Sequence, residues 1–198
     1  MVTTAILALA AIRAFAEAPK VGSLAPGFAA TDMAGQTVKL ADFRGKYVVL
    51  EWTNRECPFV RKHYSSGNMQ KTQEWAKDQG AVWLTVISSA PSQQGYASAD
   101  EAKRIYTTDY WKGSSLLLDP DGSLGHMYNA KTSPHLFVID PQQKLVYAGG
   151  IDNKRTPNVD DIPSSINYVK QALSELLANK SVSVPVSKPY GCSIKYAE

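Results

Sequence analysis

The chain has 198 residues, 44% of them hydrophobic and 20% charged, which describes one well-cored globular domain and excludes a disordered or fibrous protein. Its 21 basic residues against 18 acidic leave a net charge of +3. No dense Lys/Arg run accompanies that excess, so neither nucleic acid nor an anionic membrane is an expected partner. Two cysteines, Cys57 and Cys192, are too few for a disulfide-stapled scaffold.

In chain order, the first segment has an apolar run from Val2 to Ile12, interrupted by Arg13 and followed by Ala14-Phe15-Ala16. An A-x-A pattern after a short apolar run reads as an export signal. The run falls short of the ~20 residues that span a bilayer, so no stable membrane insertion is expected. An amphipathic N-terminal helix packed on the domain is the competing reading. The expected division is a signal peptide over 1–18, a domain over 19–180 and a tail over 181–198, in a periplasmic or secreted protein.

Gly35 to Lys46 reads as a short strand and a turn, and Tyr47 to Thr53 as a strand buried on both faces. Pro58 suits the first position of a helix, which runs to about Gln79 with a break over Ser65-Ser66-Gly67-Asn68. A strand over Ala81 to Ser89, a helix over Ala99 to Asp109 and a strand over Ser115 to Asp119 follow. "HLFVID" and "KLVYAGG" form a hairpin, and Gly149-Gly150 at its end predicts a bulge or a close backbone approach. Ile162, Ile166, Val169, Leu173, Leu176 and Leu177 make one helical stripe with Asp161 as its N-cap. Ser181 to Glu198 reads as an irregular, flexible tail. This order predicts a thioredoxin-like α/β fold: a mixed central sheet with helices on both faces.

Cys57 ends a buried strand and precedes the helix that Pro58 opens. Unpaired backbone N–H groups and the positive end of the helix dipole favour a thiolate there, and Arg55, Arg61 and Lys62 outweigh Glu56. A thiolate attacks disulfides and peroxides. The bland alternative is a small apolar residue filling the junction. Position 60, where a dithiol motif has its second cysteine, is Val60. The stretch from Asn179 to Cys192 spans about 40 Å when extended, against a radius of gyration of about 16 Å for the domain, so Cys192 can reach Cys57. It is read as a resolving cysteine. A permanent bridge, worth roughly 5 kcal/mol on the chain-entropy model, an intermolecular disulfide and a free thiol are the alternatives. His63 falls nearly two helical turns past Cys57, too far for contact with the sulfur, and His135 lies nearer the site. The three histidines have no ligand spacing, so no metal and no cofactor is expected. Trp52 either shields the sulfur or packs in the core, and Asp152 and Arg155 receive no role.

"EWTNRECPFVRKHY", "KTSPHLFVID" and "SKPYGCSIKY" together resemble the redoxin (alkyl hydroperoxide reductase/thiol-specific antioxidant) branch of the thioredoxin superfamily. Nearest are peroxiredoxin-like proteins with CPFV in place of C-x-x-C. The resemblance implies that Ser133-Pro134 is a cis-proline step beside Cys57, with Trp52, Pro58 and Ser133 lining a substrate groove. Two departures matter. Val60 replaces the second cysteine of C-x-x-C, and Leu50 and Asn54 replace the proline and hydroxyl of the peroxiredoxin pattern. The Asn54 amide can donate in place of that hydroxyl. The expectation is an exported thiol–disulfide oxidoreductase with Cys57 as nucleophile, Cys192 resolving, Asn54 orienting the reacting group and Pro134 shaping the groove. Its partners would be protein or small-molecule disulfides, or peroxides, and a thiol reductant. A thiol peroxidase, and a non-enzymatic module stapled by Cys57 and Cys192, are the two alternatives.

Overall fold

A computed structural model describes residues 18–106 and 110–197; most of the expected signal segment lies outside them. The apolar run after Tyr47 forms β3 (Val48–Trp52), a fully buried interior strand of a seven-stranded sheet. On one side it pairs in parallel with β4 (Val82–Ile87), which pairs in parallel with β5 (Ser115–Leu118). On the other it pairs antiparallel with β7 (His135–Ile139), and β7 continues into β8 (Leu145–Gly149). β1 (Ala29–Asp32) and β2 (Thr37–Lys39) extend the far edge as an antiparallel ribbon on β5. The sheet is mixed, with its parallel strands buried by helices as crossover connections require.

Side chains of β3 alternate between two cores. Val49 faces Cys57, Val60, Tyr64, Trp83 and Val138. Val48, Leu50 and Trp52 face Leu84, Val86, Tyr128 and Phe137 on the opposite side. The expected helix after Cys57 is two: α1 (Pro58–Ser65) and α2 (Asn68–Asp78), broken at Gly67, whose φ of 72° a glycine takes without strain. α3 is described over Ala99–Tyr106, and the expected helix end at Asp109 lies outside the described residues. A short α4 (Ser123–Met127) follows β5.

The C-terminal half departs from expectation in two places. Asp161 does not cap the last helix. Residues 159–164 form a 3-10 turn containing Pro163, and α5 (Tyr168–Leu177) starts at Asn167, whose side chain accepts from the Lys170 N–H. A proline at 163 disfavours helical backbone before it, and Asn is a strong N-cap. The buried stripe shrinks to Val169, Ala172 and Leu173, leaving Ile166 52% exposed.

The tail is the second departure: it is packed rather than loose. The Ala148 N–H donates to the Pro185 carbonyl and the Ser187 N–H to the Ala148 carbonyl, both at 3.1 Å. Ser187 Oγ lies 2.7 Å from Tyr147 Oη and accepts from the Gly150 N–H at 3.0 Å. The close approach expected at Gly149 is this contact, since a Cβ there would overlap Ser187. Gly149→Ala is therefore expected to loosen the tail, read as faster amide exchange over residues 185–193 with the central sheet unchanged.

Among the described residues no helix is long and apolar enough to cross a membrane.

Candidate active site

The loop from β3 to α1 is shaped by Asn54. Its carbonyl accepts from the Cys57 N–H at 3.0 Å, and its side-chain oxygen accepts from the Glu56 N–H at 2.9 Å. Its amide nitrogen donates to the Gln94 carbonyl at 3.3 Å, packed so tightly on Gly95 that a Cβ there would overlap it. The sequence reading gave Asn54 the task of orienting a reacting group. The structure shows the side chain held in the loop by its own turn and by one bond from its amide to the Gln94 carbonyl.

Cys57 is the N-cap of α1, with Pro58 in the first turn, and has no exposed surface. Its thiol donates to the Ser133 carbonyl at 3.1 Å and accepts from the Cys192 N–H at 3.3 Å. The Ser133–Pro134 bond is cis, as the resemblance implied. Thr132–Ser133 forms β6, paired antiparallel with β9 (Cys192–Ser193), so that Cys192 stands opposite Ser133. The tail thus pairs as a strand beside Pro134. Gly191 makes this possible: at φ 123° it lies so near Ser133 that a Cβ would overlap the carbonyl oxygen. Cys192 is half-buried, and burial, with the neighbouring Cys57, pushes its thiol up to about 11.

Trp52, read as a groove residue, is fully buried in the core opposite Cys57. Its indole N–H donates to Ser88 Oγ at 3.0 Å, and its ring sits 5.2 Å from Phe137 and 5.6 Å from Tyr128. The alternation of β3 decides this: Trp52 shares a face with Val48 and Leu50. Of the candidate residues the structure brings together Cys57, Pro58, Ser133, Pro134 and Cys192, and places Trp52 on the other face of the sheet.

Sequence reasoning missed the buried polar residues behind the site. Lys62 and His63 on α1, Asp152 after β8 and Tyr190 in the tail are all buried and mutually bonded. Lys62, His63 and Tyr190 sit in the short motifs that carry the two cysteines, whereas no motif marked Asp152. A second buried set surrounds Glu51, which accepts from Tyr64, Gln73, Trp83 and Thr85. Burial raises its carboxyl, against those four donors. Beside Cys57 an open cationic groove of about 630 Å³ is lined by Arg55, Glu56, Arg61, Arg104, Ile105 and Tyr110. Among the described residues no three His, Cys, Asp or Glu side chains cluster as metal ligands.

Two histidines tie stability to pH. Burial, partly opposed by Asp152, lowers His63 to about 4, and burial lowers His135 to about 3. Folding therefore favours their neutral forms. Their contribution is complete above the unfolded value near 6.5 and is lost as pH falls towards 4 and then 3, at up to about 1.4 kcal/mol per pH unit for each group. Urea unfolding at pH 7 and pH 5 checks this: the midpoint is expected to drop, and to drop less in His63→Gln.

A cysteine at a helix start, a cis-proline beside it and a second thiol in contact define a thiol-dependent oxidoreductase of the thioredoxin fold. Residues 21–148 match the AhpC/TSA family, and the chain belongs to that family. It is 26% identical over 136 residues to the thiol-disulfide oxidoreductase ResA of Bacillus subtilis (strain 168), covering 69% of this chain and 70% of ResA. Among solved structures, an uncharacterized conserved protein from Geobacillus kaustophilus superposes with a TM-score of 0.77 at 24% identity, over 96% of this chain and 98% of that one. An exposed lipoprotein thioredoxin (Etrx1) of Streptococcus pneumoniae strain TIGR4 is 29% identical with a TM-score of 0.50, over 70% of this chain and 96% of that one.

Proposed function

We propose that this chain is an exported thiol–disulfide oxidoreductase in which Cys57 is the nucleophile and Cys192 the resolving cysteine. The observation that carries the reading is the tail itself: Cys192 lies opposite Ser133 with its N–H aimed at Cys57 Sγ. In the first step the Cys57 thiolate attacks a substrate disulfide, forming a mixed disulfide and expelling one substrate thiolate. Cys192 then gives up its proton and attacks Cys57 Sγ. The Cys57–Cys192 bond forms, the second substrate thiolate leaves and takes up a proton, and the enzyme is oxidised by two electrons as the substrate is reduced. A thiol reductant reverses this.

Pro58, Ser133 and Pro134 frame the groove. Cys57 has no exposed surface while the tail is docked, so a substrate enters as the two-residue β9 lifts. Export rests on the apolar run and A-x-A step before residue 17, with support from a relative described as an exposed lipoprotein.

The AhpC/TSA match favours peroxide as a second substrate. Peroxide reduction needs preorganised donors, whose loss costs about 10²–10³ in rate, and one of the two Asn54 amide hydrogens is already given to the Gln94 carbonyl. Peroxide oxidation is therefore expected to run no faster than that of a simple thiolate, measured by stopped flow.

The test of the proposal is trapping. Cys192→Ser, mixed with a peptide disulfide, is expected to accumulate a mixed disulfide at Cys57, mapped by mass spectrometry. No adduct at Cys57, with the wild type equally inert, overturns the proposal.

A further inference from the structure

The buried set behind the tail takes no part in the electron transfer, yet it joins the two halves of the site. Lys62 and His63 belong to α1, the helix that Cys57 opens; Tyr190 stands two residues before Cys192; and Asp152 follows β8. Tyr190 Oη donates to Asp152 Oδ1 at 2.5 Å. His63 Nε2 lies 3.1 Å from the same Oη, and the Asn68 amide nitrogen lies 2.8 Å from His63 Nδ1.

These contacts admit one arrangement of protons. The phenol hydrogen goes to the carboxylate, which can only accept, so the phenol oxygen accepts from His63 Nε2–H. His63 Nδ1 then accepts from the Asn68 amide, as the neutral imidazole does. The Lys62 ammonium lies 3.6 Å from Asp152 Oδ2 and donates to the Lys154 carbonyl at 2.8 Å. Asp152 Oδ1 also accepts from the Lys154 N–H at 2.9 Å.

Anchoring a tail does not require this. The Tyr190 ring already packs edge-on against Phe59, with centroids 5.9 Å apart, and a phenylalanine would keep that contact. Burying an ammonium and a carboxylate carries a large desolvation cost that apolar residues avoid. What directional bonds add over apolar packing is a fixed position for the phenol. Gly191 turns the chain directly after it and delivers the Cys192 N–H to Cys57 Sγ.

We propose that Lys62, His63, Asp152 and Tyr190 are positioning residues that hold Cys192 against Cys57, and so set how strongly the two favour a disulfide. The inference rests on the reading of Cys192 as the partner of Cys57. It links both short stretches: "CPFVRKHY" carries the nucleophile and, in Lys62 and His63, part of the receptor for the tail that Asp152 completes, and "KPYGC" carries the plug and the second sulfur. An ordered partner thiol has a high effective concentration, and a tail released from its anchor loses it.

Equilibration with glutathione tests this without a natural substrate. Protein dithiol and glutathione disulfide give protein disulfide and two glutathione thiols; acid quenching, alkylation and intact mass read the equilibrium constant. Tyr190→Phe and His63→Leu are each expected to lower that constant by about tenfold or more, as the loss of a buried hydrogen bond does. His63→Gln, whose amide can donate from near the Nε2 position, is expected to recover most of the loss. In a Cys192→Ser background, Tyr190→Phe is expected to speed iodoacetamide labelling of Cys57 by a similar factor, since the tail then covers the sulfur less. Near-UV circular dichroism verifies that each variant is folded, and His63→Leu carries the test if Tyr190→Phe is not. An equilibrium constant within twofold of wild type in the folded variants overturns the inference and leaves the resolving role of Cys192 intact. A wild type that forms no intramolecular disulfide at any glutathione ratio overturns that role and the inference with it.

Discussion

Asp152→Ala is expected to cost about 3–5 kcal/mol of stability, because it strands a buried ammonium. Lys62 is 1% exposed, and Asp152 is the carboxylate within ion-pair distance of it. The same change removes the acceptor of the Tyr190 phenol and leaves His63 with a weakened chain of bonds. Urea unfolding at pH 7 measures the loss. The cause is separable from general damage to the fold: Lys62→Met combined with Asp152→Leu removes both charges together and is expected to regain more than half of it. Equal losses in the single and double variants would point to packing rather than charge.

Cys57→Ser is expected to lower the rate of disulfide exchange by about 10³ or more, the scale on which removal of a nucleophile acts. Cys192→Ser is expected to keep the first step and stop at the mixed disulfide, so that single-turnover release of the first substrate thiol survives while turnover fails. Stopped-flow mixing with a chromogenic aryl disulfide reads both. Loss of the first step in Cys192→Ser would assign the initial attack to Cys192.

Much of the fold is written locally. The apolar run of β3, Pro58 behind Cys57, the break at Gly67 and the β7–β8 hairpin each announce themselves within a few residues, by period or by turn chemistry. Cys57 and Pro134 were legible too, the first from its place at a strand–helix junction and the second from resemblance. What stayed hidden depends on contacts between distant segments. Lys62 looks like any basic residue on a helix until Asp152 comes beside it. The tail has no period of its own, and its order comes from Ser187 against Gly149 and from Gly191 against Ser133. Trp52 was put in the groove by the resemblance, with core packing as the alternative, and the alternation of β3 turns it to the other core. Asn54 was assigned from its place in the peroxiredoxin pattern and its donor chemistry, and the contact with the Gln94 carbonyl joins two segments 40 residues apart.

The central claim is that the two sulfurs separated along most of the chain work as one dithiol. Reduced wild-type protein treated with one equivalent of a peptide disulfide, quenched in acid, alkylated and digested, tests it directly. The account predicts loss of two hydrogens in the intact mass, a single cross-linked peptide pair containing Cys57 and Cys192, and release of both substrate thiols. A stable substrate adduct on Cys57 with Cys192 recovered fully alkylated would contradict it.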